Sequence, residues 1–197
     1  MIAPPTDLPA ALADAVGQYE ASGNIGVLME RLHHLRESAT PDALVAAAEV
    51  WLHMPEVAGP LYERVVEEQP THARALVILA NAYWLSGRGP DVVGELASRA
   101  MSVDPDNRGA WHLWALTESE QRDRTIRWLQ ATQRFPTDPV AKAALADNAA
   151  SLAAAEHDKE ALAMAITAYE DLWALSPTAE QRAALETALT TLRSYTF

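Results

Sequence analysis

The sequence of 197 residues contains no cysteine, few glycines and few aromatic residues, and these scarcities exclude several kinds of site. Without cysteine the chain forms no disulfide, no thiolate metal site and no thiol nucleophile. Eight glycines, placed mostly in turns, leave little for a phosphate-cradling loop, and neither a zincin motif nor a nucleophile elbow occurs. We therefore predict a non-catalytic protein that carries no cofactor and no metal.

Long hydrophobic runs and an excess of positive charge are also missing. No apolar stretch approaches the roughly 20 residues that a membrane helix needs, and the first residues lack the basic and apolar regions of a secretory signal. The net charge is −12, and acidic residues prevail in the first and last thirds of the chain. Because an acidic surface repels nucleic acid and anionic membranes, we expect neither as a partner. Since neither a membrane helix nor a secretory signal is evident, we predict a cytoplasmic protein.

Basic residues are concentrated in one segment, between residues 122 and 134. Arg122, Arg124, Arg127 and Arg134 fall on one predicted helix, which also carries Asp123. This mixture of charges favours a solvated helix face over a phosphate-binding patch. A nucleic-acid-associated regulator stays open as a lesser alternative.

The sequence is rich in alanine, and its apolar residues are spaced as in helices. About half of the residues, 49%, are apolar, and the alternation typical of strands is missing. Prolines recur about every 34 residues, at Pro41, Pro70, Pro105, Pro136 and Pro177. This recurrence predicts stacked helical hairpins, each of which buries its apolar face only against its neighbours.

Caps and breakers predict eleven helices, as five antiparallel pairs and one C-terminal capping helix. Thr40 and Asp138 each place a side-chain acceptor directly before a proline at the first helical position. We predict one repeat domain over residues 1–197, with pairs at 8–37, 41–68, 72–102, 107–134 and 138–175. The predicted helices are 8–22, 24–37, 41–53, 56–68, 72–86, 90–102, 107–119, 121–134, 138–155, 159–175 and a cap at 178–195.

The packing positions of these hairpins resemble the tetratricopeptide repeat (TPR) family. The best-matching hairpin has Leu76, Leu79, Ala80 and Tyr83 on its first helix, followed by Val93, Ala97, Ala100 and Pro105. The preceding hairpin carries Leu44, Ala47, Ala48 and Trp51, then Ala58, Tyr62, Val65 and Pro70, and later hairpins match in part through Ala115, Trp128, Ala131, Leu145, Ala146, Ala165 and Tyr169. The resemblance implies an all-α fold, an α–α superhelix (TPR-like solenoid), and the segment after Pro105 is similar to degenerate repeats common in bacterial proteins of this family.

A binding surface is also implied by the resemblance, because the first helix of each TPR hairpin lines the concave face. Carrying the family's inward positions onto this chain selects Glu49, His53, Arg74, Val77, Asn81, Trp84, His112, Leu116 and Asp147. The set is apolar in the middle with a few polar handles, which suits capture of a peptide or a helix. The family's carboxylate clamp of paired Lys and Asn is matched only at Asn81, so we do not expect a C-terminal carboxylate as ligand.

The charges of this set bear on the partner. Glu49 and Asp147 lie among the inward positions, so a neutral or basic segment is favoured. Trp84 is predicted to face the inner surface, whereas the other tryptophans at repeat positions are predicted to lie in the core: Trp51, Trp111, Trp114 and Trp128.

Two functions of different class follow from these patterns. The leading hypothesis is a protein–protein interaction adaptor that binds its partner on the concave face. The alternative is a self-assembling scaffold protein that forms a homo-oligomer through its terminal helices, because the last helix carries a stripe of Leu185, Leu189 and Leu192.

Overall fold

The computed structural model describes residues 7–176 and 178–197, and every regular element in these ranges is a helix. The all-α fold is confirmed, and most predicted helix ends lie within two residues of the observed ones. None of the helices in the described ranges is long and apolar enough to cross a membrane. The helices are α1 (Leu8–Ser22), α2 (Ile25–Ser38), α3 (Pro41–Ala48), α4 (Pro55–Glu68), α5 (Ala73–Leu85), α6 (Pro90–Val103), α7 (Arg108–Leu116), α8 (Gln121–Arg134), α9 (Pro139–Glu156), α10 (Lys159–Leu175) and α11 (Ala179–Arg193).

Side-chain caps start several helices at the predicted places. The Thr40 hydroxyl accepts a hydrogen bond from the backbone N–H of Ala43 at 3.4 Å. The Asp138 carboxylate accepts one from the N–H of Val140 at 3.0 Å. Each cap satisfies a donor that has no partner within its own helix, and the proline that follows loses nothing by lacking an N–H.

The third helix is shorter than predicted. It ends at Ala48 and tightens into a 3-10 turn over Glu49–Trp51. Pro55 opens the next helix, and Met54 before it is extended, with φ −112° and ψ 92°. Since a residue that precedes proline is disfavoured in the helical region, Met54 cannot extend the helical stretch beyond its predicted end at His53. Pro55 does not explain the change to a 3-10 turn at Glu49.

The seventh helix also ends before its predicted boundary. In a longer helix the carbonyl of Trp114 would accept from the N–H four residues later. Instead it accepts a 2.9 Å hydrogen bond from the guanidinium of Arg127 on α8 and a 3.2 Å hydrogen bond from the hydroxyl of Thr117. Arg124, also on α8, donates to the carbonyls of Glu118 and Ser119 at 2.8 and 3.1 Å. Arginine side chains therefore bind one carbonyl in the last turn of α7 and two carbonyls of the loop that follows it.

The chain forms two compact units, Met1–Leu113 and Trp114–Phe197. In the first unit α1 packs on α2, α3 on α4 and α5 on α6, while contacts of α1 with α3, of α2 with α4 and of α4 with α5 stack one hairpin on the next. In the second unit α8 packs on α9, α9 on α10 and α10 on α11. The prediction that residues 1–197 form a single repeat domain stays a prediction.

Small residues let the helices of each unit approach closely, as the sequence predicts. Tyr62 and Trp128 fill the space beside them and are 1% and 4% exposed. The alanines at the repeat positions are fully buried, namely Ala48, Ala58, Ala80, Ala97, Ala115, Ala131, Ala146 and Ala165.

The prediction that four tryptophans lie in the core is correct for Trp128 and wrong for the rest. Trp51, Trp111 and Trp114 are half-buried. The indole N–H of Trp111 donates to the carbonyl of Pro105 at 2.9 Å, which holds one edge of the ring at the loop before α7. A large ring can thus occupy a packing position and still reach the surface.

Candidate partner-binding surface

Most of the predicted inward positions of the first unit lie on the first helices of consecutive hairpins, whereas Glu49 begins the 3-10 turn after α3 and His53 lies in the turn that follows it. We call seven of them the first-helix row. All seven side chains reach solvent, and two of them, Val77 and His112, are half-buried. The row consists of Glu49, His53, Arg74, Val77, Asn81, Trp84 and His112. The remaining two predicted site residues, Leu116 and Asp147, belong to the second unit.

An ion pair joins the end of α3 to the start of α5. The guanidinium of Arg74 donates to the carboxylate of Glu49 at 2.5 Å. The two side chains are 54% and 49% exposed, so the pair lies at the surface and is accessible to a partner. Two residues that the sequence assigned to one surface are therefore in direct contact.

A close approach joins α5 to α7 in the same way. Gly109, in the first turn of α7, lies so near α5 that a Cβ added to it would stand 3.2 Å from Cγ1 of Val77. That spacing is tighter than ordinary van der Waals contact, so glycine permits α7 to lie against Val77. Positions on three consecutive first helices thus lie side by side within the first unit.

The C-terminal end of α5 presents the apolar part of the row. Trp84 is 38% exposed and its neighbour Leu85 is 59% exposed. Asn81 lies one turn earlier and is also exposed. An aromatic side chain that remains partly exposed beside polar groups is the kind of residue that anchors protein partners.

Tyr62, on α4, carries a hydroxyl whose pKa responds to both charges of the ion pair. Its side chain is 1% exposed, and the hydroxyl has no hydrogen-bond partner among the described residues. Burial raises the pKa of Tyr62, the nearby charge of Arg74 lowers this pKa, and that of Glu49 raises it. A buried hydroxyl that lacks a partner destabilises the protein by about 1–3 kcal/mol.

In the second unit the corresponding tyrosine has a partner. The hydroxyl of Tyr169, on α10, donates a 2.6 Å hydrogen bond to the carboxylate of Asp147 on α9. Burial, together with this bond and the charge of Asp147, raises the pKa of Tyr169 to about 12. The other predicted site residue of this unit, Leu116, is 38% exposed.

The two tyrosines occupy equivalent places in their hairpins. Each lies four residues after a buried alanine of the second helix, Ala58 or Ala165, and in each hairpin an acidic residue directly follows the buried alanine of the first helix. Sequence reasoning assigned Tyr62 to packing alone and missed its hydroxyl. The shared spacing of acid and tyrosine is the signal that could have found it.

The arginines of α8 are engaged within the second unit. Arg122 contacts the carboxylates of Glu156 at 2.5 Å and Asp158 at 2.8 Å. Arg127 contacts Glu118 at 2.5 Å and its guanidinium lies 4.6 Å from the ring centroid of Trp114. This segment therefore joins secondary-structure elements to one another.

Metal ligation has no candidate in the part of the chain that the structure describes. Within residues 7–176 and 178–197, no three His, Asp or Glu side chains come together in a group that could hold an ion. His53 lies beside an aromatic ring, with its centroid 6.3 Å from that of Trp51.

Comparison with known proteins bears on the fold. No protein-family model matches the sequence, and no curated protein matches it. Among solved structures, the chain is similar to PilF of Pseudomonas aeruginosa, with 15% identity, coverage of 94% of this chain and 84% of that one, and a TM-score of 0.63. It is also similar to a thermophilic TPR protein of Thermus thermophilus, with 18% identity, coverage of 93% and 100%, and a TM-score of 0.56.

A third similar structure is YrrB, a TPR protein with an unusual peptide-binding site. It is 12% identical, the coverage is 92% of each chain and the TM-score is 0.61. The chain has the TPR fold. In the first unit the TPR hairpins α3–α4 and α5–α6 carry most of the first-helix row, and in the second unit α9–α10 is the hairpin that carries Asp147.

Proposed function

We propose that the protein is a non-catalytic interaction adaptor that binds a peptide or helix of a partner protein on the first-helix row. A protein-interaction role is supported by the TPR fold. The observation that carries the finer proposal is the alignment of the row: Glu49 contacts Arg74, Val77 contacts the start of α7, and Trp84 stays partly exposed along the same helix.

The row offers a partner two kinds of contact. Trp84 supplies apolar area that a partner can bury, at about 25 cal/mol per Å². Asn81 and the Glu49–Arg74 pair supply hydrogen-bonding groups that fix the register of a bound segment. An apolar anchor with polar neighbours is the arrangement by which grooves hold short segments.

The preferred charge of the segment can be refined. The prediction of a neutral or basic segment rested on Glu49 and Asp147. Both carboxylates accept hydrogen bonds from this chain, the first from Arg74 and the second from Tyr169. Because neither is an open anion, a basic segment loses this support, and we retain the apolar part of that prediction.

Nucleic acid is a weaker candidate for a partner. Arg122, Arg124 and Arg127, on which that alternative rested, bond to carboxylates or carbonyls of the second unit. A phosphate would have to displace those contacts against a chain of net charge −12. The absence of catalysis and the cytoplasmic location stay predictions.

Selection from a random peptide library tests the adaptor proposal. The peptides are displayed with their C-termini fused to the carrier, and the affinity of selected peptides is then measured for single variants. Trp84→Ala is expected to weaken binding about tenfold or more, because anchors of this kind contribute at least 1–2 kcal/mol. Trp173→Ala is the matched control, since Trp173 is 37% exposed but lies on α10, outside the row. Equal losses in both variants, or no selected peptide, would reject the row as the binding surface.

Self-assembly is the second candidate, and one feature favours it. An open apolar cleft of about 430 Å³ lies at the second unit's last helices and includes Pro139, Leu172, Leu175 and Leu185. Leu175 is 41% exposed there. Light scattering over a concentration series distinguishes this candidate: a dimer that Leu175→Glu dissociates would support it, and a monomer at all concentrations would exclude it.

A further inference from the structure

The buried, unpartnered hydroxyl of Tyr62 and the surface ion pair of Glu49 and Arg74 together point to a ligand chemistry. If only the packing of the ring mattered, phenylalanine could replace Tyr62 without loss of stability, because the hydroxyl is buried and makes no hydrogen bond. The charge of Glu49 raises the pKa of this hydroxyl. A carboxylate can accept more than one hydrogen bond. Yet the hydrogen bond that Glu49 accepts comes from Arg74.

The second unit supplies the arrangement that Tyr62 lacks. At the equivalent positions Asp147 accepts the Tyr169 hydroxyl at 2.6 Å. Two features differ in the first unit. Glu49 begins the 3-10 turn that follows α3, whereas Asp147 lies within α9, and Glu49 pairs with Arg74 at the surface. The equivalent spacing makes the buried hydroxyl of Tyr62 a second candidate donor to Glu49.

We infer that Arg74 anchors an Asp or Glu side chain of the bound partner segment, and that Glu49, displaced by this carboxylate, turns to accept the buried hydroxyl of Tyr62. This inference rests on the proposed function and names the partner chemistry at one end of the row. The partner's carboxylate replaces that of Glu49 on the guanidinium, so the charge on Arg74 stays compensated. Glu49 in turn satisfies the Tyr62 hydroxyl, so the exchange removes an unfavourable feature of the free protein.

The charges of the row suit this ligand. Glu49 is the one carboxylate among the seven residues of the row, and Arg74 is its one arginine. Once Glu49 turns inward to Tyr62, Arg74 is the charged residue that this end of the row presents to the partner. A guanidinium can hold a carboxylate through two parallel N–H donors, which favours it over other cations for this contact.

The peptides selected on the full chain test the anchor. Because their C-termini are fused to the carrier, only a side chain can supply a carboxylate. We expect an Asp or Glu at a fixed position, and about a tenfold loss of affinity either in Arg74→Gln or when that acid is changed to its amide. The two changes together are expected to lose little more than one alone, since both remove the same contact.

Arg193→Gln is the matched control for Arg74→Gln. Arg193 pairs with Glu170 at 2.6 Å, and the two side chains are 55% and 50% exposed, much like Arg74 and Glu49. It lies on α11, outside the row, and its loss should leave peptide affinity unchanged. If selected peptides lack an acid, or bind Arg74→Gln as well as the wild type while Trp84→Ala abolishes binding, the anchor is wrong and the adaptor proposal stands. If no peptide is selected, both fail.

Tyr62→Phe tests the inward turn of Glu49. The variant is expected to be at least as stable as the wild type, yet to bind the acidic peptide about fivefold more weakly, because the displaced Glu49 no longer gains a donor. A purely structural tyrosine would not combine unimpaired stability with weaker binding. Unchanged affinity in Tyr62→Phe would overturn this part of the inference.

Discussion

The guanidinium of Arg74 and the carboxylate of Glu49, 2.5 Å apart, join the first helices of two consecutive hairpins. Both side chains are about half exposed, and surface ion pairs of this kind contribute about 0–1 kcal/mol. We therefore expect Arg74→Gln to lower the free energy of unfolding by less than about 1 kcal/mol, as measured by urea denaturation. Arg193→Gln should give a similar value. A loss of several kcal/mol for Arg74→Gln alone would mean that the pair has a structural role.

The two equivalent tyrosines are expected to respond oppositely to loss of the hydroxyl. Tyr62→Phe removes a buried group that has no partner and should raise the free energy of unfolding by up to about 1 kcal/mol. Tyr169→Phe removes the 2.6 Å bond to Asp147 and should lower it by about 1 kcal/mol. Denaturation of both variants beside the wild type measures the difference. A change of the same sign in the free energy of unfolding of both variants would contradict the assignment of a hydrogen-bond partner to Tyr169 and of none to Tyr62.

Alkaline pH provides an independent test of the Tyr169 bond. The pKa of Tyr169 is raised in the folded protein from 10.0 to about 12, so the folded state keeps a proton that the unfolded state releases. The contribution of Tyr169 to stability is therefore complete below pH 10 and is lost as the pH rises towards 12. Tyr169→Phe should lose stability less steeply over this range than the wild type. Parallel curves would refute the raised pKa.

Arg127 is expected to be the most important arginine of α8 for the second unit. It donates to the carbonyl of Trp114, contacts Glu118 and lies over the Trp114 ring. Arg127→Ala should destabilise the protein by about 2 kcal/mol, because a charged hydrogen bond and a cation–π contact are lost together. Arg127→Lys should recover only part of this, since an ammonium cannot form the same fork. Full recovery by lysine would show that charge alone matters.

The fold was largely predictable because its signals are local. Thr40 and Asp138 mark helix starts through their own backbone hydrogen bonds, and alanines such as Ala48 and Ala80 recur where helices approach. The errors at α3 and α7 concern the helix ends. At α3 the chain keeps helical dihedral angles as far as Leu52 but changes from an α-helix to a 3-10 turn at Glu49. At α7 Arg127 reaches back thirteen residues to the Trp114 carbonyl, a contact that local signals do not specify.

The candidate surface was predictable in outline and not in its bonding. Repeat spacing placed Glu49, Arg74 and Val77 on one surface, and in the first unit Glu49 contacts Arg74 while Val77 lies against α7. That Glu49 bonds to Arg74 while the hydroxyl of Tyr62 has no partner depends on side-chain directions across helices, which spacing does not specify. The preference for a neutral or basic segment, derived from formal charge, stays a prediction.

Site-specific photo-crosslinking in cells that make the protein tests most directly whether the first-helix row binds a partner protein. A photoreactive amino acid replaces Asn81, which is exposed on the row, or Ser98, which is exposed on α6. We expect a discrete adduct with a second protein from position 81, its loss in Trp84→Ala and its retention in Trp173→Ala. An adduct from position 98 but not from 81, or none from position 81, would contradict the proposed surface.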